Sequence, residues 1–259
     1  MTTLSSDAPV VLITGANSGI GAALARRLAA DERSLALHGR RDDGPGGEEL
    51  RHVAETCREL GARECRILFA DLGSESAVHH LIDTTFAHFG RIDQIVSNAG
   101  YALQQGICQS TWASQERALQ VMPLTFAALI RRAAPALRAS PVARVVGVSS
   151  FVAHRFDVDT PFLETAAAKA AMEAIAKSAA AELAPAGVTV NCVAPGYTRK
   201  DGHKPRANAL AWDQAAARTP SGRIATPEKI AEAIRFLLSE GASHITGQVV
   251  HVDGGLTLA

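Results

Sequence analysis

The chain has 259 residues, 47% of them apolar, and its 26 lysines and arginines are balanced by 26 aspartates and glutamates. That size and composition suit one large α/β domain with a well-buried core and exclude a disordered chain. Zero net charge excludes a general attraction to nucleic acid or to acidic membrane surfaces.

Val10 to Ile13 reads as a buried parallel strand, because four consecutive apolar, largely β-branched residues are too few for a helix. Gly15, Gly19 and Gly21 follow in G-x-x-x-G-x-G spacing, and Ala22 to Ala30 reads as a helix. Strand, glycine turn and helix in that order present backbone N–H groups and a helix dipole to a phosphate. Gly15 would let the strand turn sharply, and Gly19 and Gly21 would let a pyrophosphate approach the backbone. The second strand, Ser34 to His38, ends at Gly39-Arg40-Arg41. An acidic residue at this place would select NAD; two arginines suit a 2′-phosphate and point to NADP(H), with NAD(H) as the less favoured cofactor. The plainer reading is that Arg40 and Arg41 solvate a strand end. Residues 42–47 read as a flexible loop.

Helical spacing resumes at Leu50, Val53, Cys57 and Leu60, and Cys65 to Ala70 makes a third strand ending at Asp71-Leu72. Val78 to Phe89 is a helix closed by Gly90, and Ile92 to Val96 is a strand ending in Ser97-Asn98-Ala99-Gly100. A long helical pattern from Trp112 to Leu137 is broken only by Pro123. Val142 to Val148 is a strand ending at Ser149-Ser150, Ala166 to Leu183 an alanine-rich helix, and Val188 to Val193 a strand ending at Pro195-Gly196. Residues 199–222 are polar and basic, Pro227 opens a helix to Leu238, and Gln248 to Val252 is a last strand.

This alternation predicts a single doubly wound parallel sheet of about seven strands with helices on both faces. Ligands of such sheets bind beyond the carboxyl ends of the strands, where Thr14, Arg40, Asp71, Asn98, Ser150 and Pro195 all fall. The four cysteines, Cys57, Cys65, Cys108 and Cys192, include no C-x-x-C pair, and no histidine or cysteine shows metal-ligand spacing. The N-terminal residues lack the features of a signal peptide, and no apolar run is long enough to span a bilayer, so a cytoplasmic protein is expected.

Thr14-Gly15 with Gly19-Ile20-Gly21, Asp71-Leu72, Asn98-Ala99-Gly100, Ser149-Ser150, Lys169 and Pro195-Gly196 resemble the short-chain dehydrogenase/reductase family over nearly the whole chain. The resemblance implies a Rossmann fold. It places Asn17, Ser18 and Ile20 along the phosphates, Asp71 and Leu72 at the adenine, and Asn98, Ala99 and Gly100 near the ribose. It also places Pro195 and Gly196 behind the nicotinamide, Lys169 on the nicotinamide ribose, and Thr198 among the cofactor-binding residues. Helix 166–184 is expected to join subunits of a dimer or tetramer, and residues 199–222 to form a lid over a small or acyl-thioester substrate.

The family's catalytic set is Ser, Tyr, Lys and usually Asn. Ser150 and Lys169 match it, but Thr165 stands four residues before the lysine, in the tyrosine's place, and Met122 in the asparagine's. A threonine hydroxyl is a poor acid, although it still hydrogen-bonds a substrate oxygen. Tyr101, Tyr197, His154 and water are the other candidates for the proton. Two functions are therefore expected. One is an NADP(H)-dependent oxidoreductase acting on a C=C or C=O bond through Ser150, Lys169 and Thr165. The other is a non-catalytic dinucleotide-binding protein.

Overall fold

The structure, a computed structural model, describes residues 8–199 and 209–258. Its apolar runs become strands whose alternate residues feed two different cores. In β1 (Val10–Thr14), Val11 and Ile13 point to one face and Leu12 to the other, and every residue of the strand is buried. The chain continues through α1 (Gly19–Ala30), β2 (Ser34–Gly39), α2 (Gly44–Glu59), β3 (Glu64–Phe69), α3 (Glu75–Phe89) and β4 (Gln94–Ser97). Then follow α4 (Trp112–Leu119), α5 (Thr125–Ala139), β5 (Arg144–Val148), α6 (Leu163–Leu183) and β6 (Thr189–Pro195). The last elements are α7 (Ala209–Ala217), α8 (Pro227–Leu237) and β7 (Val249–Val252).

The sheet has seven strands in the order β3-β2-β1-β4-β5-β6-β7, and all pairs are parallel. Helices α1, α2 and α8 pack on one face through Leu24, Leu28, Leu50, Val53, Ile230 and Ile234. On the other face α3, α5 and α6 pack through Leu81, Ile82, Phe126, Leu129, Met172 and Ala176. This is the expected doubly wound architecture. The order reverses between β1 and β4, which opens a crevice at their carboxyl ends.

Two departures from the sequence reading have physical causes. Residues 44–47, expected as flexible loop, open α2 instead; Pro45 is tolerated in a first turn, where its missing N–H costs nothing. The 199–222 stretch contains α7, an alanine-rich helix hidden behind the polar punctuation around it. Residues 200–208 of the expected lid, with Lys200, His203, Lys204 and Arg206, lie outside the described residues.

Pro123 does not end the long helix. Residues Gln120–Leu124 widen into a π turn, and the Thr125 N–H reaches the Gln120 carbonyl five residues back. The Thr125 hydroxyl also lies 2.7 Å from the Leu72 carbonyl oxygen, tying the wide turn to the end of β3.

Gly21 is packed tightly where α1 meets the glycine turn. It is buried, and a Cβ there would overlap the Gly15 carbonyl oxygen and lie 2.7 Å from Asn98 Nδ2. Its lack of a side chain lets α1 press against the glycine turn, and it is absent from the cleft wall. Gly21→Ala is therefore expected to lower stability by roughly 1–3 kcal/mol, the usual cost of overpacking, measured from urea unfolding midpoints.

Candidate cofactor cleft and active site

The crevice is a single cleft of about 1360 Å³ running across the carboxyl ends of the strands. Gly15, Asn17, Ser18, Gly19 and Ile20 form its middle wall. Gly15 and Gly19 have left-handed backbones (φ 65° and 55°), and nothing lies within 4 Å of where a Gly19 side chain would start. Ser18, at the N-terminus of α1, makes no side-chain cap bond.

Asn98 and Thr14 fix this turn. Asn98 Nδ2 donates to the carbonyls of Thr14 at 3.0 Å and Gly15 at 2.9 Å, while Thr14 Oγ1 accepts from the N–H groups of Asn98 and Ala99. His38 supports it from β2: Nδ1 accepts from the Gly15 N–H at 3.3 Å, which leaves Nε2 as donor to the Ala70 carbonyl at 2.9 Å. Burial pushes the His38 imidazole down to about 4, against smaller opposing effects from the Ala70 hydrogen bond and the Asp71 charge.

At one end of the cleft Arg40 and Arg41 are exposed on its wall, and Asp71 and Leu72 stand beside them. Gly39 leaves room there for Leu50, whose Cδ2 would be 2.8 Å from a Cβ. At the other end lie Gly100, Ser150, Thr165, Lys169, Pro195, Gly196 and Thr198. Lys169 is buried, and its ammonium donates to the Val148 carbonyl at 2.6 Å. Burial lowers it to about 8, while the neighbouring Cys192 and Glu173 favour its charged form.

Thr165 sits one turn before Lys169 on α6, so both side chains share a helix face. Its Oγ1 accepts from the Leu103 N–H at 3.1 Å, which leaves the hydroxyl hydrogen for another acceptor. Ser150 Oγ accepts from the Val152 N–H at 3.4 Å at the start of a short 3-10 turn. Met122 is fully buried; its Sδ and the Lys169 Nζ lie equally near, 3.4 Å, to the point where a Gly100 side chain would begin. A thioether thus faces the lysine where an amide was missing from the sequence.

Of the other proton donors considered, Tyr101 and Tyr197 line the cleft, and Tyr197 packs on Phe151 with ring centroids 4.8 Å apart. His154 is not on the cleft wall. Its Nε2 turns 2.9 Å from Glu173 Oε1, the same oxygen that accepts the Ser149 hydroxyl. That carboxylate therefore engages the imidazole and the Ser149 hydroxyl together.

Glu173 and Arg117 carry structural weight here and were not singled out in the sequence. Glu173 had one usable signal, its place one turn beyond Lys169 on the same buried helix face. Arg117 had none, since its partner Asp71 is 46 residues away.

The family model described as Enoyl-(Acyl carrier protein) reductase matches residues 15–257. The chain is 35% identical over 252 residues to the cis-4-hydroxycyclohexanecarboxylate dehydrogenase of Sinomonas cyclohexanicum, covering 96% of each chain. The chain belongs to the short-chain dehydrogenase/reductase family. A further relative in that family is the 3-oxoacyl-[acyl-carrier-protein] reductase MabA of Mycobacterium bovis, 32% identical over 95% of this chain and 92% of its own. A short-chain dehydrogenase from Burkholderia cenocepacia, solved in complex with NADP, superposes with a TM-score of 0.87. It is 28% identical, with 97% of this chain and 98% of that one covered. The protein is accordingly a short-chain dehydrogenase/reductase-type oxidoreductase.

The buried His38 gives a test of the turn. Its folded value of about 4 lies below the 6.5 of a free imidazole, so between those values the unfolded chain binds the extra proton. Stability should fall as pH drops through that window, by about 3 kcal/mol for this group once pH is below both values. The difference in urea-unfolding free energy between wild type and His38→Gln should shrink by that order between about pH 7 and pH 4.

Proposed function

We propose that the protein is an NADP(H)-dependent oxidoreductase in which Ser150, Thr165 and Lys169 act on the oxygen of a small or acyl-type substrate. The observation that carries the reading is the cleft itself, which joins the Arg40 and Arg41 rim to the Thr165 and Lys169 wall around one glycine turn. The residues fit a dinucleotide: space beside Gly19 where a side chain would start, the N-terminus of α1 for phosphate, and two exposed arginines for a 2′-phosphate. The Burkholderia structure with NADP supports that choice of cofactor. When bound, the cofactor supplies or accepts a hydride at its nicotinamide.

The chain's own residues do the rest. The Ser150 and Thr165 hydroxyls donate to the substrate oxygen and hold it as negative charge develops. Lys169 places a buried ammonium near that oxygen, and its lowered affinity for a proton makes it the strongest acid among these three groups. Thr165 is a hydrogen-bond donor here, not the source of a transferred proton. The names of the relatives favour interconversion of a ring alcohol and ketone, or of an acyl thioester's 3-oxo group. Reduction of a conjugated C=C bond is the second reading, favoured by Thr165, because an enolate oxygen needs donors more than an immediate proton. Cytoplasmic residence and a homo-oligomer belong to the same proposal.

NADPH oxidation should be measured with cyclohexanone, 4-oxocyclohexanecarboxylate, an acetoacetyl thioester and a crotonyl thioester. Turnover of at least one is expected, and Thr165→Ala should lower kcat/KM by roughly 10²-fold, as loss of an oxyanion donor does. Reduction should slow above about pH 8 as Lys169 loses its proton. Turnover unchanged in Thr165→Ala would remove that residue from the site. Arg40→Ala with Arg41→Ala should weaken NADPH binding by about tenfold or more while sparing NADH; equal losses would overturn the NADP preference.

A further inference from the structure

Arg117 lines the cleft from α4, an element apart from the β2 end that carries Arg40 and Arg41. The residues it meets close β3. Its Nη2 donates to both carboxylate oxygens of Asp71, at 3.0 and 3.3 Å. The Gly73 N–H donates to Asp71 Oδ1 at 3.0 Å, so that oxygen already has two donors. Gly73 has no side chain, and a Cβ there would overlap the Arg117 guanidinium, which therefore lies flat against the turn. Asp71 Oδ2 keeps lone-pair capacity for one further donor, and the carboxylate is half exposed on the cleft wall.

An exposed ion pair alone means little, since such pairs add almost nothing to stability. This one sits in the wall of a cleft whose occupant is strongly anionic. Without Arg117, Asp71 would repel that occupant, and only the Gly73 N–H would hold its carboxylate. With Arg117, the carboxylate is neutralised and held in one orientation, ready to accept from an exocyclic amine. Arg40, on the neighbouring strand end, bears electrostatically on the same carboxylate, so Asp71 lies beside the rim where the ribose is expected.

We propose that Arg117 is a cofactor-positioning residue: it neutralises and orients Asp71 for the adenine amino group and closes the base end of the cleft. The inference rests on the dinucleotide reading of the cleft but not on the choice between NADP and NAD, because both carry adenine.

The test is calorimetric binding of NADPH, NADH, 2′,5′-ADP and reduced nicotinamide mononucleotide to wild type, Arg117→Ala, Arg117→Lys, Asp71→Asn and the Arg117→Ala/Asp71→Asn double variant. Arg117→Ala should weaken NADPH and 2′,5′-ADP by roughly tenfold and leave the mononucleotide unchanged; Arg117→Lys should recover part of the loss. In the Asp71→Asn background the effect of Arg117→Ala should fall to about twofold or less, because the charge it cancels is gone. Ligand-free melting curves check that the variants fold. Unchanged binding in Arg117→Ala, an equal loss with the mononucleotide, or a full effect persisting without Asp71's charge would each overturn the proposal. Wild type that binds neither NADPH nor NADH would instead overturn the dinucleotide reading, and Arg117's role with it.

Discussion

Two hydrogen bonds from one side-chain amide hold the crevice open. Asn98 Nδ2 donates to the carbonyls of Thr14 and Gly15, and the Thr14 hydroxyl oxygen returns the connection by accepting from the backbone of Asn98 and Ala99. These bonds join β1 and β4 where the strand order reverses and where no strand continues to bridge them. The left-handed Gly15, the close approach of Gly21 and the His38 imidazole all depend on that knot. A half-buried amide whose hydrogens are both bonded to backbone carbonyls ties the glycine turn to the end of β4.

At the other end of the cleft, the catalytic elements of the family survive as geometry more than as chemistry. The π turn that widens the long helix is present with Met122 and Pro123 in it, and Pro123 supplies the broken hydrogen-bond ladder without an asparagine. Lys169 still reaches the cleft from α6, anchored on the Val148 carbonyl, and Thr165 still occupies the preceding turn. On the proposed alignment with the family, a hydroxyl and a thioether stand where a phenol and an amide would accompany them. In the proposed reading the Ser150 and Thr165 hydroxyls bind negative charge on oxygen and the buried Lys169, its proton affinity lowered by burial, carries the exchangeable proton.

Much of the fold was legible because central parallel strands buried on both faces read as largely apolar runs, β1 and β5 among them. The site's outline was legible for the same reason, since strand ends in such a sheet collect on one edge. Other features were hidden by distance or by rules with two outcomes. Proline in residues 44–47 signals a loop as readily as a first helical turn, and the alanines of α7 were masked by polar neighbours. A glycine is called for equally by a phosphate and by a packed helix, so the spacing could not foretell the close approach of Gly21 to Gly15. The Asp71–Arg117 and Ser149–Glu173 contacts span 46 and 24 residues, and no local pattern foretells them.

The central claim is that hydride chemistry proceeds in this cleft with a threonine where a tyrosine normally stands. The most direct measurement uses NADPH carrying deuterium at C4 of the nicotinamide, incubated with the carbonyl and enoyl substrates, and mass spectrometry of the product. The account predicts one deuterium in the product from one C4 face only, with the label lost when Lys169→Ala disables the site. Tight NADPH binding with no label transferred to any of these substrates would contradict it.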